Sequence, residues 1–335
     1  MSQTNQTEIR WGIIGAGDVC EVKSGPAFNL VPKSKLIAVM RRNAQKAEDY
    51  AKRHKVPKWY DDADKLIHDP DINAIYIATP PGSHAEYTFK AAEAGKPVYV
   101  EKPMARTYKE CMAMVDACKK VNVPLFVAYY RRRLPNFLKI KELVEEGAIG
   151  DIRFVDIKLL KTLKPDIVGA SESKENWRIF PEIAGGGYFY DLASHQLDFL
   201  DYLFGPIRKA NGYAHNQAGL YPAEDIVSGS FYFDNGVIGQ GTWCFTTSDV
   251  SDIERTIIVG SKGQISFAYF GDGTVTLEVE GERKEVIPFV LPRHIQMPLI
   301  NTMVGELLGK DNCPSTGISG SRTNWVMEQL CKRIF

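Results

Sequence analysis

The chain of 335 residues lacks net charge: 41 lysines and arginines balance 41 aspartates and glutamates. Without an overall positive field it does not draw in nucleic acid or an anionic membrane surface, so neither is expected as a partner. It also lacks any run near the ~18 apolar residues of a membrane-spanning helix. The first eight residues are polar, without the basic-then-apolar order of a secretory signal, and a cytoplasmic location is expected. Cysteine is sparse, with six residues at 20, 111, 118, 244, 313 and 331. A chain this long buries a core without covalent staples, and no close Cys/His cluster offers a metal site, so no metal is expected. Repeats and low-complexity tracts are absent too. What remains is a globular composition, 44% apolar and 24% charged. At roughly 150 residues per domain it implies about two domains.

The first part alternates short apolar runs with helical patterns. Strands are expected at 9–14, 35–40, 74–78, 98–100 and 124–128. Helices are expected at 21–30, distorted by Gly25-Pro26, then from an Asn43 cap through Arg53, and at 64–68, 83–94 and 108–120. Short strands that are apolar on both faces and separated by helices argue for a parallel, doubly wound sheet. The fold expected is therefore an α/β Rossmann-like N-terminal domain over 1–128.

The first strand runs directly into Gly15-Ala16-Gly17-Asp18-Val19-Cys20. In a Gly-x-Gly-x-x-Gly turn the first glycine makes the tight turn, the second lets backbone approach a pyrophosphate, and the third lets the helix pack closely. Cys20 holds the third place and is small enough for that approach. Gly15, Gly17, Asp18 and Val19 are therefore candidate cofactor contacts. The second strand ends in Met40-Arg41-Arg42-Asn43, with no carboxylate to bind ribose hydroxyls. Arginine there suits a 2'-phosphate, so NADP(H) is expected in preference to NAD(H), which remains possible.

Past Pro135 the pattern changes. A helix is expected at 137–146, a strand at 152–160, a loop at 165–181, and a helix at 188–203 after Gly185-Gly186-Gly187. Strands then succeed one another at 229–233, 237–245, 254–259, 264–270 and 274–279, with Asp234-Asn235-Gly236 as a hairpin turn. A final helix is expected at 320–332. The segment 129–335 reads as an α+β C-terminal domain with a largely antiparallel open-faced sheet. Asp191 and His195 lie four apart and share a helix face. An imidazole near a carboxylate suits proton exchange with a hydroxyl at neutral pH. Asp198 is either a further polar contact or a packing group. Lys102, directly after a strand, falls at the carboxyl edge of the sheet, where this architecture binds ligands.

Ala78-Thr79-Pro80-Pro81-Gly82-Ser83-His84 and Glu101-Lys102-Pro103, with the glycine turn, Gly185-Gly186-Gly187, Asp191 and His195, resemble the glucose-fructose oxidoreductase, inositol dehydrogenase and rhizopine catabolism (Gfo/Idh/MocA) family. The likeness covers nearly the whole chain. It implies an NAD(P)-dependent sugar or polyol oxidoreductase, with Thr79, Pro80, Glu101 and Lys102 at the nicotinamide half of the cofactor. His84 either touches the cofactor or caps a helix. Trp177-Arg178 precedes the glycine run as a segment bordering the substrate cavity does in the family, making Arg178 and Tyr188 substrate-contact candidates beside Asp191 and His195.

The resemblance further implies a substrate-binding and oligomerisation role for 129–335. A homodimer or homotetramer would form through the open sheet face, although 229–233 suits either that face or the core. The last helix is a segment that can pack back toward the first domain. Three departures stand out: Cys20, Arg41 where NAD-preferring members have aspartate, and Arg133 where phenylalanine is usual.

In the reading these residues favour, His195 exchanges the hydroxyl proton, Lys102 stabilises charge on the same oxygen and Asp191 orients the histidine or a second hydroxyl; the roles of Lys102 and His195 could be exchanged. One alternative is an NAD-retaining enzyme that oxidises a sugar transiently and eliminates a glycosidic leaving group. Another is a non-enzymatic NADP-binding regulator, although such relatives lose the site lysine or histidine.

Overall fold

The computed structural model describes residues 7–164 and 176–332. The chain divides into two compact units, one of residues 1–130 with 292–321 and one of 131–291 with 322–335.

The first unit is built on β1 (Ile9–Ile14), α1 (Asp18–Val22), α2 (Ala27–Leu30), β2 (Ser34–Met40), α3 (Ala44–His54), β3 (Lys58–Tyr60), α4 (Ala63–Ile67), β4 (Ala74–Ile77), α5 (His84–Glu93), β5 (Val98–Val100), α6 (Tyr108–Lys120) and β6 (Leu125–Val127). Its six strands lie in the order β3-β2-β1-β4-β5-β6 and every pair is parallel. The pleat sends Trp11, Tyr76 and Tyr99 to one face, where Trp11 meets Phe28 and Tyr76 stacks on Tyr99 at 4.8 Å between ring centroids. Ile75, Ile77, Val98 and Val100 go to the other face, against Met114 and Cys118 of α6. Burial on both faces explains the unbroken apolar runs. Asn43 caps α3 as expected, its side chain accepting from the Lys46 amide at 2.9 Å.

Some elements depart from expectation. The helix expected at 21–30 is two short helices, because Gly25-Pro26 interrupts rather than bends it. The edge strand β3 is three residues long, Lys-Trp-Tyr, too short to announce itself by alternation.

The second unit contains α7 (Pro135–Glu145), β7 (Ile152–Leu160), α8 (Pro181–Ala184), α9 (Gly187–Phe204), β8 (Ile207–His215), β9 (Ile226–Phe233), β10 (Ile238–Cys244), β11 (Ile253–Gly260), β12 (Gly263–Phe267), β13 (Val275–Val279) and β14 (Glu285–Ile287). The chain then returns to the first unit with α10 (Met297–Leu307), and α11 (Gly317–Leu330) begins in that unit and ends in the second. Most of the expected loop, 165–175, lies outside the described residues; within the rest, Trp177–Ile179 forms a 3-10 turn ahead of α8. The polar strand β8, the short β14 and helix α10 were not anticipated.

The eight-stranded sheet has the order β14-β13-β12-β11-β7-β10-β9-β8, antiparallel except for the β7–β10 pair. Helices α7 and α9 cover one face: Phe137 and Phe199 pack on Phe267, Phe204 on Phe233, and Phe189 on Trp243. On the other face Tyr232, Ile238 and Phe154 share one cross-strand register and are exposed. Thus strand 229–233 serves both sides, with Phe231 and Phe233 in the core and Tyr232 outside. Asp234-Asn235-Gly236 closes the β9–β10 hairpin, with the Phe233 amide donating to the Val237 carbonyl. Among the described residues no helix is long and apolar enough to cross a membrane.

Candidate active site

In the first unit, the carboxyl end of β1 turns at Gly15, whose φ of +86° suits glycine. A Cβ there would stand 2.6 Å from Thr79 Cγ2 and 3.0 Å from the Thr79 amide nitrogen, so the turn is closed to a side chain on steric grounds as well. The Gly15 and Ala16 amides donate to the Met40 carbonyl, stitching the turn to the end of β2. At Gly17 the situation is reversed: a Cβ would meet nothing closer than the Gly15 carbonyl oxygen at 3.8 Å. That open cradle above backbone fits the close approach of a diphosphate. Asp18 is exposed and Val19 half-buried beside it. Cys20 is fully buried, its carbonyl accepting from Tyr50 Oη at 2.7 Å. Burial pushes its thiol pKa up, so it packs rather than reacts. Arg41 is half-buried, with its amide donating to the Tyr60 carbonyl, and Arg42 is exposed.

The ends of β4 and β5 carry the next group. Thr79 Oγ1 accepts from Ser83 Oγ at 2.8 Å. Its carbonyl lies 2.7 Å from His84 Nε2, while His84 Nδ1 lies 3.1 Å from the Met104 carbonyl. The fully buried imidazole therefore braces the Thr79-Pro80 turn against the backbone just beyond Lys102-Pro103. Burial lowers the His84 pKa against the pull of those carbonyls. Glu101 is buried: Oε1 accepts from Tyr76 Oη at 2.5 Å and from Gln296 Nε2 at 2.7 Å, and Oε2 from the Lys102 amide at 3.2 Å. Lys102 is half-buried, and its bond to Pro103 is cis.

In the second unit, Gly187 opens α9 at a φ of +60°, with Ala223 Cβ only 2.7 Å from where a Cβ would stand. The helix then presents Asp191 and His195 one turn apart, 8% and 3% exposed. Arg178 Nε donates to Asp191 Oδ2 at 3.2 Å, and its guanidinium lies 4.6 Å over the Trp177 ring. Tyr188 Oη accepts from Asn176 Nδ2 at 2.6 Å, and burial pushes the phenol pKa up. Tyr188 also lines a cleft of about 350 Å³ with Leu163, Lys164, Ile179, Leu220 and Tyr221. The four substrate-contact candidates thus gather on α9 and the turn before it.

Several participants were not foreseen. The His195 ring meets Phe270 edge-on at 6.1 Å, and Arg131 covers Phe270 at 4.6 Å. Arg131 also donates to the Tyr269 carbonyl, and Arg132 forms a two-point pair with Asp198. The arginine-rich stretch 131–133 thus spends its first two members inside the unit. Asp198 is accordingly a packing group rather than a further contact. Gln296, Tyr76 and Phe270 carry no motif; the only local signal was Pro298, which marks a helix start just beyond Gln296.

Residues 9–129 match an oxidoreductase family with an NAD-binding Rossmann fold, and residues 137–266 match the GFO/IDH/MocA C-terminal domain. "Oxidoreductase P35" of Formosa agariphila is 40% identical over 97% of this chain and 99% of its own length. A levoglucosan dehydrogenase of Pseudarthrobacter phenanthrenivorans is 32% identical over 86% of this chain and 74% of its own. The solved structure of a levoglucosan dehydrogenase in complex with NADH and levoglucosan has the same fold, with a TM-score of 0.83, 24% identity and 96% of each chain covered. The glycine turn, the Lys102 turn and the Asp191-His195 helix thus lie within matched segments, and the chain belongs to the Gfo/Idh/MocA family of oxidoreductases.

Proposed function

We propose that the chain is an NADP(H)-dependent oxidoreductase acting at a hydroxyl or carbonyl carbon of a sugar, cyclitol or related polyol. The observation that carries this reading is Lys102 at the carboxyl end of β5, its turn held by Glu101 on one side and by the His84 brace on the other. A regulator that had abandoned chemistry has no need of it. The substrate class follows the levoglucosan dehydrogenase among its relatives, and the phosphate preference follows Arg41 and Arg42.

Residues 1–128 are the dinucleotide-binding domain in this reading. Gly15, Gly17, Asp18 and Val19 would hold the diphosphate, Arg41 and Arg42 the 2'-phosphate, and Thr79, Pro80, His84, Glu101 and Lys102 the nicotinamide half. When bound, the nicotinamide supplies the hydride acceptor or donor. Residues 129–335 bind substrate through Arg178, Tyr188, Asp191 and His195. In oxidation His195 takes the hydroxyl proton, and the Lys102 ammonium donates a hydrogen bond to the same oxygen as charge develops on it. Asp191, held by Arg178, orients His195 or receives a second substrate hydroxyl; reduction reverses these roles. The exposed row of Phe154, Tyr232 and Ile238 favours assembly of two or four copies through the outer sheet face.

The test is binding of NADPH, NADH, NADP+ and NAD+ to the purified protein, followed by a screen of sugars and cyclitols. The protein should bind NADP(H) preferentially and exchangeably. Arg41→Ala with Arg42→Ala should cost about 10- to 100-fold in NADPH affinity and little for NADH, as loss of one charged hydrogen bond implies. Lys102→Ala and His195→Ala should each lower kcat about 10²- to 10⁴-fold with nucleotide binding kept. Tightly retained NAD would overturn the NADP assignment, and binding of none of the four would overturn the enzymatic reading.

A further inference from the structure

The lysine of the Glu101-Lys102-Pro103 turn is held by a residue nearly two hundred positions away. Gln296 is fully buried and donates from Nε2 to Glu101 Oε1 at 2.7 Å. Its Oε1 accepts from Tyr99 Oη at 2.7 Å, and the amide's orientation is fixed by the Glu101 carboxylate, which can only accept and so takes the nitrogen side. Tyr76 Oη adds a second bond to Glu101 Oε1 and also contacts Ser24 Oγ at 3.2 Å. Burial holds both phenols well above their ordinary pKa, so they stay donors. Glu101 Oε2 takes the Lys102 amide itself. The backbone of the same segment is pinned to the helix that follows the glycine turn: the Gln296 amide donates to the Lys23 carbonyl at 3.2 Å, and His294 Nδ1 lies 2.5 Å from the Val22 carbonyl.

A cluster of this kind is a poor way to gain stability. Apolar side chains of similar volume in place of buried charged and polar groups are often neutral or stabilising, whereas a half-satisfied polar cluster is costly. What the cluster does supply is a single arrangement of the backbone at Lys102.

We infer that Gln296 is a positioning residue for Lys102, acting through the Glu101 carboxylate. This deepens the oxidoreductase reading and rests on it for its kinetic consequence. Without the amide, Glu101 keeps only Tyr76 on Oε1 and its carboxylate can turn, taking the Lys102 amide with it. Misplacement of a catalytic group by about 1 Å costs on the order of 100-fold in rate.

The experiment compares Gln296→Leu with the wild-type protein by two readings. The first is competitive trace acetylation of the folded protein, followed by mass spectrometry, with the exposed Lys65 as internal reference. The Lys102 labelling rate should change at least about threefold relative to Lys65, as expected for a moved ammonium. The second is turnover: kcat should fall about 10- to 100-fold while nucleotide affinity stays within about threefold, and on a Lys102→Ala background the further loss should be under about twofold. Gln296→Glu keeps the volume and serves if the leucine variant does not fold. It sets a second carboxylate against Glu101, and its activity should fall more steeply with rising pH than the wild-type enzyme's.

Folded variants with unchanged Lys102 labelling, or an undiminished Gln296 effect without Lys102, would overturn the inference. Altered labelling in a protein whose wild-type form shows no nucleotide-linked turnover would keep the positioning role and sink the oxidoreductase reading.

Discussion

Arg132→Leu is expected to be among the most damaging single substitutions in the second unit, with a damage that depends on pH. The guanidinium meets Asp198 through Nε at 2.8 Å and Nη2 at 2.6 Å, with side chains only 2% and 1% exposed. Removing one partner of such a pair leaves a buried carboxylate uncompensated, at a cost of about 3–5 kcal/mol. The carboxylate can escape by taking a proton. Even with Arg132 present, burial and the nearby Asp201 push Asp198 up to about 6, against the pull of Arg132 and Thr323; without the guanidinium it rises further. A carboxyl raised above its unfolded value of ~3.9 contributes stability that is complete below that value and is lost as pH climbs through the folded one.

The Arg132→Leu deficit should therefore be largest near pH 8 and shrink toward pH 5.5. At about 2–4 °C per kcal/mol for a unit of this size, it amounts to on the order of 10 °C in melting temperature at pH 8. Urea and thermal unfolding, followed by circular dichroism at both pH values, measure it. Arg132→Leu with Asp198→Leu should recover most of the loss, since no charge is left unpaired. Equal loss at the two pH values, or a double variant as unstable as the single one, would refute the reasoning.

Two further outcomes follow from the first unit. Gly15→Ala places a methyl 2.6 Å from Thr79 Cγ2 at a φ of +86°, which costs roughly 1–2 kcal/mol in backbone strain before any displacement of Thr79. Calorimetry should show NADPH affinity falling more than about 10-fold, with a melting temperature only a few degrees lower; unaltered affinity would remove the turn from the cofactor site. Glu21 is held down to about 2 by Arg53, with His54 adding to the pull. A depressed carboxyl contributes stability above its unfolded pKa and loses it as pH falls, so this contribution should disappear between about pH 4.5 and 2. With Arg53 largely exposed, screening leaves about 1 kcal/mol, and Glu21→Gln should flatten that part of the profile; an unchanged slope would assign acid sensitivity elsewhere.

The elements that could be read from the chain are those whose own residues carry the pattern. The strand from Ile9, the 98–100 strand before Glu101 and the Asn43 cap each combine a short apolar run or a capping side chain with punctuation close by. The glycine turn was legible because Gly15 must bend where no Cβ fits. Asp191 and His195 could be placed on one face by helical spacing alone. Elements failed to show where tertiary partners supply the stability: Lys58–Tyr60 is an edge strand of three residues, and β8 is polar over most of its length because it lies at the sheet margin.

The missing parts of the site share a different cause. Gln296, Tyr76, Phe270 and Arg132 act through partners 25 to 195 positions away, or 75 and 66 for the last two. No periodicity reports a long-range polar contact, and a lone glutamine ahead of Met297-Pro298 looks like an ordinary approach to a helix. Yet these are the groups that turn a motif into a geometry. Lys102 is recognisable from two neighbouring residues, but its backbone is held by Glu101, and Glu101 is held by a segment that enters the first unit only after the second has been threaded. A chain ending before Gln296 would keep every motif named from the sequence up to His195 and still lack the amide that fixes the lysine turn. The motif identifies the chemistry, and the return of the chain supplies the precision on which that chemistry depends.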